Sequence, residues 1–204
     1  MKNVCTIYLV RHGRTDWNDK HLIQGHSDIE LNSEGIETAK KLAKEFKKIK
    51  FDCVYSSDLL RAKQTAEIVA LEQKIGIQTS ESLRERNFGN VEGKPSQEYF
   101  SQINEVLEKL DEEIRYSYKF ESNIEMESDR EVLERINKFF KKISNIHNRG
   151  NILVVSHGGP IRLLLHKFKF LSYKEIVYIP NLSFIKLACD GKELKLLETF
   201  GIEK

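Results

Sequence analysis

The three cysteines of this 204-residue chain, at positions 5, 53 and 189, are odd in number and have no close pairing. That argues against both a disulfide framework and a zinc cluster. Reduced, unremarkable thiols are expected, with Cys5 and Cys53 packed inside strand-like runs as small hydrophobes. Excess charge of one sign is also missing: 33 Lys+Arg against 31 Asp+Glu leave a net +2. With no basic aromatic stripe either, nothing suggests attraction to nucleic acid or to an acidic membrane, and any preference for anions must be local. No stretch approaches the roughly 20 apolar residues of a membrane span. The first residues run straight into the strand-like Val4–Val10 without a secretory signal, so a cytoplasmic protein is expected. Internal repeats and low-complexity linkers are absent as well, which favours a single domain over 1–204.

What is there alternates between strand and helix. Val4–Val10 is a β-rich apolar run, after which Ser33 offers an N-cap for a helix with Ile36, Ala39, Leu42, Ala43 and Phe46 on one face. Phe51–Tyr55 is the next strand, and Ser57 and Asp58 are expected to cap a helix bearing Leu59, Ala62, Ala66, Ile68 and Val69. A helix from about Asp129 to Ile146 precedes strand Asn151–Val155 and helix Ile161–Phe168. This repetition predicts an α/β fold, a three-layer α/β/α sandwich on a mainly parallel sheet. Phe184–Ala188 and Leu194–Leu197 flank Asp190-Gly191, which predicts a hairpin and an antiparallel edge. The lysines between Lys40 and Lys50 fall between apolar residues at helical spacing and form a solvated face. An excursion from about 94 to 128 reads as helical. It is either a lid over the site or a solvated helical hairpin that packs its own aromatics.

The chemistry concentrates at two strand ends. Val10-Arg11-His12-Gly13 and Ser156-His157-Gly158-Gly159 each place a histidine directly after a buried run, where open α/β sheets bind ligands. Two such ends imply one shared site. Arg11 beside the first histidine and Arg61 at the opening of a helix supply guanidinium forks suited to a tetrahedral oxyanion. Neutral imidazole can attack phosphorus near neutral pH without a metal to activate it. Arg11, Arg61 and His157 are donors that could meet the charge spread over the phosphoryl oxygens. A cysteine-based alternative fails, because the sixth residue after Cys53 is Leu59 where an arginine would be required. The leaving oxygen needs a proton, for which Glu85 in the irregular stretch Leu83–Gly89 is the candidate. On spacing alone Glu81 or Glu92 would serve as well. His21, His26, His147 and His166 show no metal-ligand spacing, and of these only His26 is placed to border the pocket mouth.

Together these blocks resemble the histidine phosphatase superfamily, the branch that includes phosphoglycerate mutases. The likeness runs through Leu9–Asn18, Gln24-Gly25 with Asp28 and Leu31, Asn32-Ser33-Glu34-Gly35, Tyr55–Ala66, Glu85 with Gly89 and Glu92-Gly93, and Val155–Gly159 with Ile161-Arg162. It implies that His12 accepts the phosphoryl group, that Arg11, Arg61 and His157 hold its oxygens, and that Glu85 gives and takes the proton. It further implies substrate contacts from Asn18, Gln24 and Gly158. Asn18 could instead be an Asx-type loop cap, and Gln24 a surface polar residue. No cofactor and no metal are implied. Departures fall on the leaving-group side: His26 where many relatives have tryptophan, Glu30 where proline is usual, and Val91 where an aromatic is common. Asn123–Ser128 likewise keeps Glu127-Ser128 without the preceding Pro and Gly.

The reaction expected from the resemblance is metal-independent hydrolysis of a small phosphorylated metabolite, by a monomer or homodimer. Gln24-Gly25 and the short loop after Gly93 are most similar to the small phosphatase branch, which includes α-ribazole phosphatases and broad-specificity enzymes. The alternative is a 2,3-bisphosphoglycerate-dependent mutase. Its basic cluster is not matched here, since only Lys94 and Lys109 precede Arg115. A non-catalytic phosphate-binding scaffold is the alternative of another class, and it predicts a broken set of site residues.

Overall fold

The computed structural model describes residues 4–107, 109–119, 125–173 and 177–203. Strand β1 (Cys5–Arg11) is apolar from Ile7 to Val10 and buried on both faces there, as a central strand of a covered sheet must be. It pairs in parallel with β4 (Gly150–Ser156), which pairs in parallel with β2 (Cys53–Ser56). A short strand, β3 (Ile77–Thr79), extends the parallel part beyond β2. On the other side β5 (Phe184–Cys189) and β6 (Leu194–Phe200) run antiparallel, giving the order β3-β2-β4-β1-β5-β6. The sheet is therefore mixed, parallel over four strands, and its antiparallel edge is the expected hairpin.

Period-two alternation divides the side chains of β1 between two cores. Tyr8 and Val10 meet Leu42, Ala43 and Phe46 of α2 (Ser33–Phe46) and Ala62, Ala66 and Val69 of α3 (Leu60–Gln73). Ile7 and Leu9 meet Val132, Ile136, Phe140 and Ile143 of α6 (Asp129–Ile146) and Ile161, Leu164 and Leu165 of α7 (Gly158–Lys167). Each such large apolar side chain contributes about 1.5–3 kcal/mol when fully buried. No helix among the described residues is long and apolar enough to cross a membrane.

The helix starts differ from the sequence reading. Asn32, not Ser33, caps α2 by accepting from Gly35 N at 2.9 Å. Neither Ser57 nor Asp58 caps α3: Ser57 Oγ accepts from Leu59 N, Asp58 pairs with Arg84, and a distant Asp28 Oδ1 accepts from Leu60 N at 2.6 Å. A cap supplied across the fold leaves no local signature. α6 begins with a capping box between Ser128 and Glu131, worth about 1 kcal/mol. A single turn, α1 (Asp16–Asp19), was not foreseen; it too carries a capping box, made by Thr15 and Asn18.

The excursion holds α4 (Ser96–Leu107) and α5 (Glu112–Ser117). Parts of it, residue 108 and residues 120–124, lie outside the described residues. All three cysteines are buried and free. Distant in sequence, Cys5 and Cys189 nevertheless stand opposite each other across β1 and β5.

Candidate active site

The parallel register fixes the site. Arg11 stands opposite Ser156, so the next residue of each strand, His12 and His157, leaves the sheet at the same carboxyl edge. Their rings lie 5.1 Å apart, centre to centre. His12 N donates to Ser156 O at 2.9 Å, continuing the ladder one residue past the strands.

His12 is 3% exposed, and its Nδ1 lies 2.7 Å from Gly13 O. A carbonyl can only accept, so Nδ1 carries the proton and Nε2 keeps its lone pair. Gly13 N donates to Thr65 Oγ1 at 2.9 Å, and Thr65 Oγ1 donates to Arg61 O at 2.7 Å, which ties the histidine loop to the first turns of α3. A Cβ at Gly13 would stand 3.0 Å from Gly35 O, so this loop is pressed against the start of α2. Asn181 Nδ2 donates to His12 O at 3.0 Å and to Gly13 O at 3.2 Å. The next residue, Leu182, is held in the left-handed region at φ 62°, a conformation that costs an L-residue about 1–2 kcal/mol.

Around His12 lie buried side chains whose inner nitrogens have no partner. Arg61 is fully buried and fixed by two bonds, Nη1 to Ser27 O at 2.8 Å and Nη2 to Gly25 O at 2.7 Å, and its enclosed Nε is unpaired. Arg11 donates from Nη1 to Ile179 O and lies over the Tyr178 ring at 5.2 Å, again with an enclosed, unpaired Nε. His157 is fully buried, and neither ring nitrogen has a partner. Each unsatisfied buried donor costs about 1–3 kcal/mol, so a cluster of them marks a place prepared for an acceptor. Burial, then Arg61 and Arg11, push the His12 imidazolium well below its ordinary range; burial and Arg61 do the same for His157. Burial also lowers Arg61 to about 10, which leaves it charged at neutral pH.

Glu85 reaches the backbone that follows His157. Its Oε2 accepts from Gly159 N at 3.0 Å and its Oε1 from Arg86 N at 2.8 Å. A Cβ at Gly159 would sit 2.0 Å from Glu85 Oε1, so the second glycine after His157 is required by the carboxylate; at Gly158 the nearest atom, Arg11 Nε, is an ordinary 3.5 Å away. The two other carboxylates that spacing left open are placed elsewhere. Glu81 is exposed, and Glu92 accepts from His26 N, Ser27 N, Ser27 Oγ and Phe88 N. The Glu85 loop is pinned by Arg135 of α6, which donates to Ser82 O, Arg84 O and Glu85 O and pairs with Glu127 at 2.8 Å. His26 Nε2 meets Glu85 O at 2.9 Å, putting it against the rim.

Gln24 is buried, not on the surface, and its Oε1 lacks a partner. The Oδ1 of Asn18 is engaged by Thr15 N, Thr15 Oγ1 and Asn181 Nδ2, so this residue is a cap as well as a neighbour of the site. In the excursion, Tyr99 and Phe100 pack edge-on against Phe88, and Tyr116 packs against the larger core. Sequence reasoning missed Arg135 and Asn181. Asn181 follows Pro180, a turn signal, but nothing local shows that it reaches back to position 12. Among the described residues no three His, Cys, Asp or Glu side chains gather so as to hold a metal ion.

The sheet, the two strand-end histidines and the arginines around them define a phosphate-handling α/β enzyme. The model of the histidine phosphatase superfamily, branch 1, matches residues 7–200, and the chain belongs to that family as an enzyme of the phosphatase class. It is 31% identical over 201 residues to a broad-specificity phosphatase of Saccharomyces cerevisiae, covering 94% of this chain and 83% of that one. It is 37% identical over 163 residues to phosphoglycerate mutase-like protein 4 of Arabidopsis thaliana, covering 79% and 70%. The crystal structure of a phosphoglycerate mutase from Bacillus anthracis superposes with a TM-score of 0.82 at 28% identity, over 98% of this chain and 94% of that one.

Proposed function

We propose that the protein hydrolyses small phosphomonoesters through a covalent phosphohistidine on His12. The observation that carries this reading is the locked tautomer: Nδ1 is held by Gly13 O, so Nε2 is the free base, on a ring 5.1 Å from that of His157, whose nitrogens are unpaired, and close enough to Arg61 and Arg11 to feel their charge. In the first step Nε2 bonds to phosphorus, the ester P–O bond breaks, and the departing oxygen takes a proton from the Glu85 carboxylic acid. Arg11, Arg61 and His157 stabilise the phosphoryl oxygens, with Asn18, Gln24 and Gly158 as further substrate contacts. In the second step Glu85, now a carboxylate, takes a proton from water. The hydroxide oxygen bonds to phosphorus as the P–Nε2 bond breaks, which releases inorganic phosphate and restores His12. The nucleophile needs no metal to activate it.

Turnover of p-nitrophenyl phosphate in the presence of a chelator tests the scheme. Hydrolysis should persist, His12→Ala should lower it by about 10⁴-fold or more, and rapid quenching should recover an acid-labile, alkali-stable phosphoryl group on His12. A strict requirement for added divalent metal, or an undiminished rate in the variant, overturns it. The likeness to a phosphoglycerate mutase favours a second reading, in which the phosphoryl group returns to a bound sugar acid. With 3-phosphoglycerate and its bisphosphate primer, isomerisation faster than phosphate release would select that reading; phosphate release alone selects the hydrolase.

A further inference from the structure

At the end of β1 remote from the two histidines, a pair of thiols meets. Cys5 and Cys189, 184 positions apart in sequence, are directly opposite in the antiparallel register of β1 and β5, so their side chains point to the same face of the sheet. Both are free and buried in the same core. Opposite residues of such a pair stand about 4.5–5.5 Å apart at Cα, within the span of about 4.4–6.8 Å that a disulfide bridges. Cys5 Sγ donates to Cys189 O at 3.5 Å, and Cys189 Sγ lies 4.0 Å from Phe140 O, so the contacts that hold the two sulfurs are weak ones. Contact with the Cys5 thiol above all, with the Ser144 hydroxyl and the Gly191 N–H behind it, holds the Cys189 thiol below its ordinary range in spite of burial. The same contact, then burial, raises Cys5. The thiolate, which is the reactive form, is therefore on Cys189. The third cysteine is out of reach: Cys53 is on β2, beyond β4 and about 10 Å or more from β1.

We propose that Cys5 and Cys189 are a modification site, a dithiol that a peroxide converts into a reversible disulfide stapling β1 to β5. The Cys189 thiolate attacks the peroxide, whose O–O bond breaks, and with one proton taken up a sulfenic acid and water result. The Cys5 sulfur then attacks the sulfenic sulfur, the S–O bond breaks, and the Cys5 proton leaves with the hydroxyl as a second water. Both thiols are oxidised by one electron each and the peroxide is reduced by two. The oxidant has a way in, because the pair closes the ladder: Val4 and Asp190, the next residues outward, are exposed, and strand ends open before strand centres. β5 and β6 join the sheet through β1 alone, so the staple fastens the whole hairpin.

Reduced wild-type protein treated with hydrogen peroxide, unfolded in an alkylating agent and digested without reductant tests the assignment. Free thiols should fall from three to one, with a linked Cys5–Cys189 peptide, an unlinked Cys53, and full reversal by dithiothreitol. The oxidised form should melt about 5 °C or more above the reduced form, a gain that Cys53→Ala keeps and that Cys5→Ala and Cys189→Ala lose. Three free thiols after peroxide, a link through Cys53, or separate sulfinic acids at Cys5 and Cys189 would each overturn the assignment. So would an oxidised form that melts no higher than the reduced one. All four outcomes are read on the wild type, so they stand even where a variant fails to fold.

Discussion

The two sides of the pocket are built in different ways. On the phosphoryl side the two histidines and the two arginines are placed by backbone: His12 and His157 by the parallel register, the His12 ring by Gly13 O, Arg61 by two loop carbonyls, Arg11 by Ile179 O. The excursion, which we propose borders the leaving group, is held through side chains, among them Tyr99 hydroxyl to Met126 Sδ, Arg115 over the Tyr173 ring, and Lys119 to Glu131. A strand end in a packed sheet cannot shift without moving its neighbours, whereas side chains on an excursion outside the sheet can be exchanged at smaller cost.

Glu85 stands where the two sides meet, and replacing it should give the largest effect that separates them. Glu85→Gln keeps the acceptor oxygen but cannot supply the proton. Rates on alkyl phosphates should fall by about 10²–10⁴-fold, and the rate on p-nitrophenyl phosphate, whose leaving group needs little protonation, should fall much less. Steady-state assays over a series of leaving groups measure this. A uniform loss across the series would assign Glu85 to the cradle and erase the boundary.

A smaller effect tests the cradle alone. His12 and His157 are held neutral by burial and by the arginines, so their folded-state values lie below the unfolded value of about 6.5. As pH falls through 6.5 the unfolded chain binds these protons first, and stability is lost at up to about 1.4 kcal/mol per pH unit for each. The loss ends once the folded histidines also titrate. The melting temperature should therefore fall between pH 7 and 5. Added inorganic phosphate should lessen the decline, because an anion in the cradle favours the imidazolium forms. A flat profile without phosphate, set against His157→Gln as the control, would mean that the cradle is not held neutral.

The cradle was legible in the sequence because its residues lie next to strands whose apolar runs are unmistakable. His12 and His157 are each the residue after a buried run, and placing two such residues together requires only a parallel sheet. α6 could be read from Asp129 to Ile146 because its apolar periodicity is strong over its whole length. β3 could not, being three residues long with a half-exposed and two exposed side chains. The cap on α3 comes from Asp28, and the pins on Glu85 and His12 come from Arg135 and Asn181. These are contacts across the fold, which spacing does not encode. Glu85 itself was separable from Glu81 and Glu92 only by family resemblance, whereas in the structure the backbone N–H of Gly159 separates them.

The smallest effect belongs to the excursion. Lys119 and Glu131 meet at 2.7 Å, and both side chains are about two-fifths exposed. Solvent and salt screen such a pair, which is worth less than about 1 kcal/mol. Glu131 also closes the capping box on Ser128, so Lys119→Ala is the cleaner change, because it leaves the cap in place. The variant should unfold within about 1 kcal/mol of the wild type in urea, and raising the salt concentration should narrow the gap. Its rate on p-nitrophenyl phosphate should stay the same, because no group of the cradle is tied to Lys119. If that rate fell by an order of magnitude while stability held, the excursion would be coupled to the strand ends, and the two sides of the pocket would have to be treated as one unit.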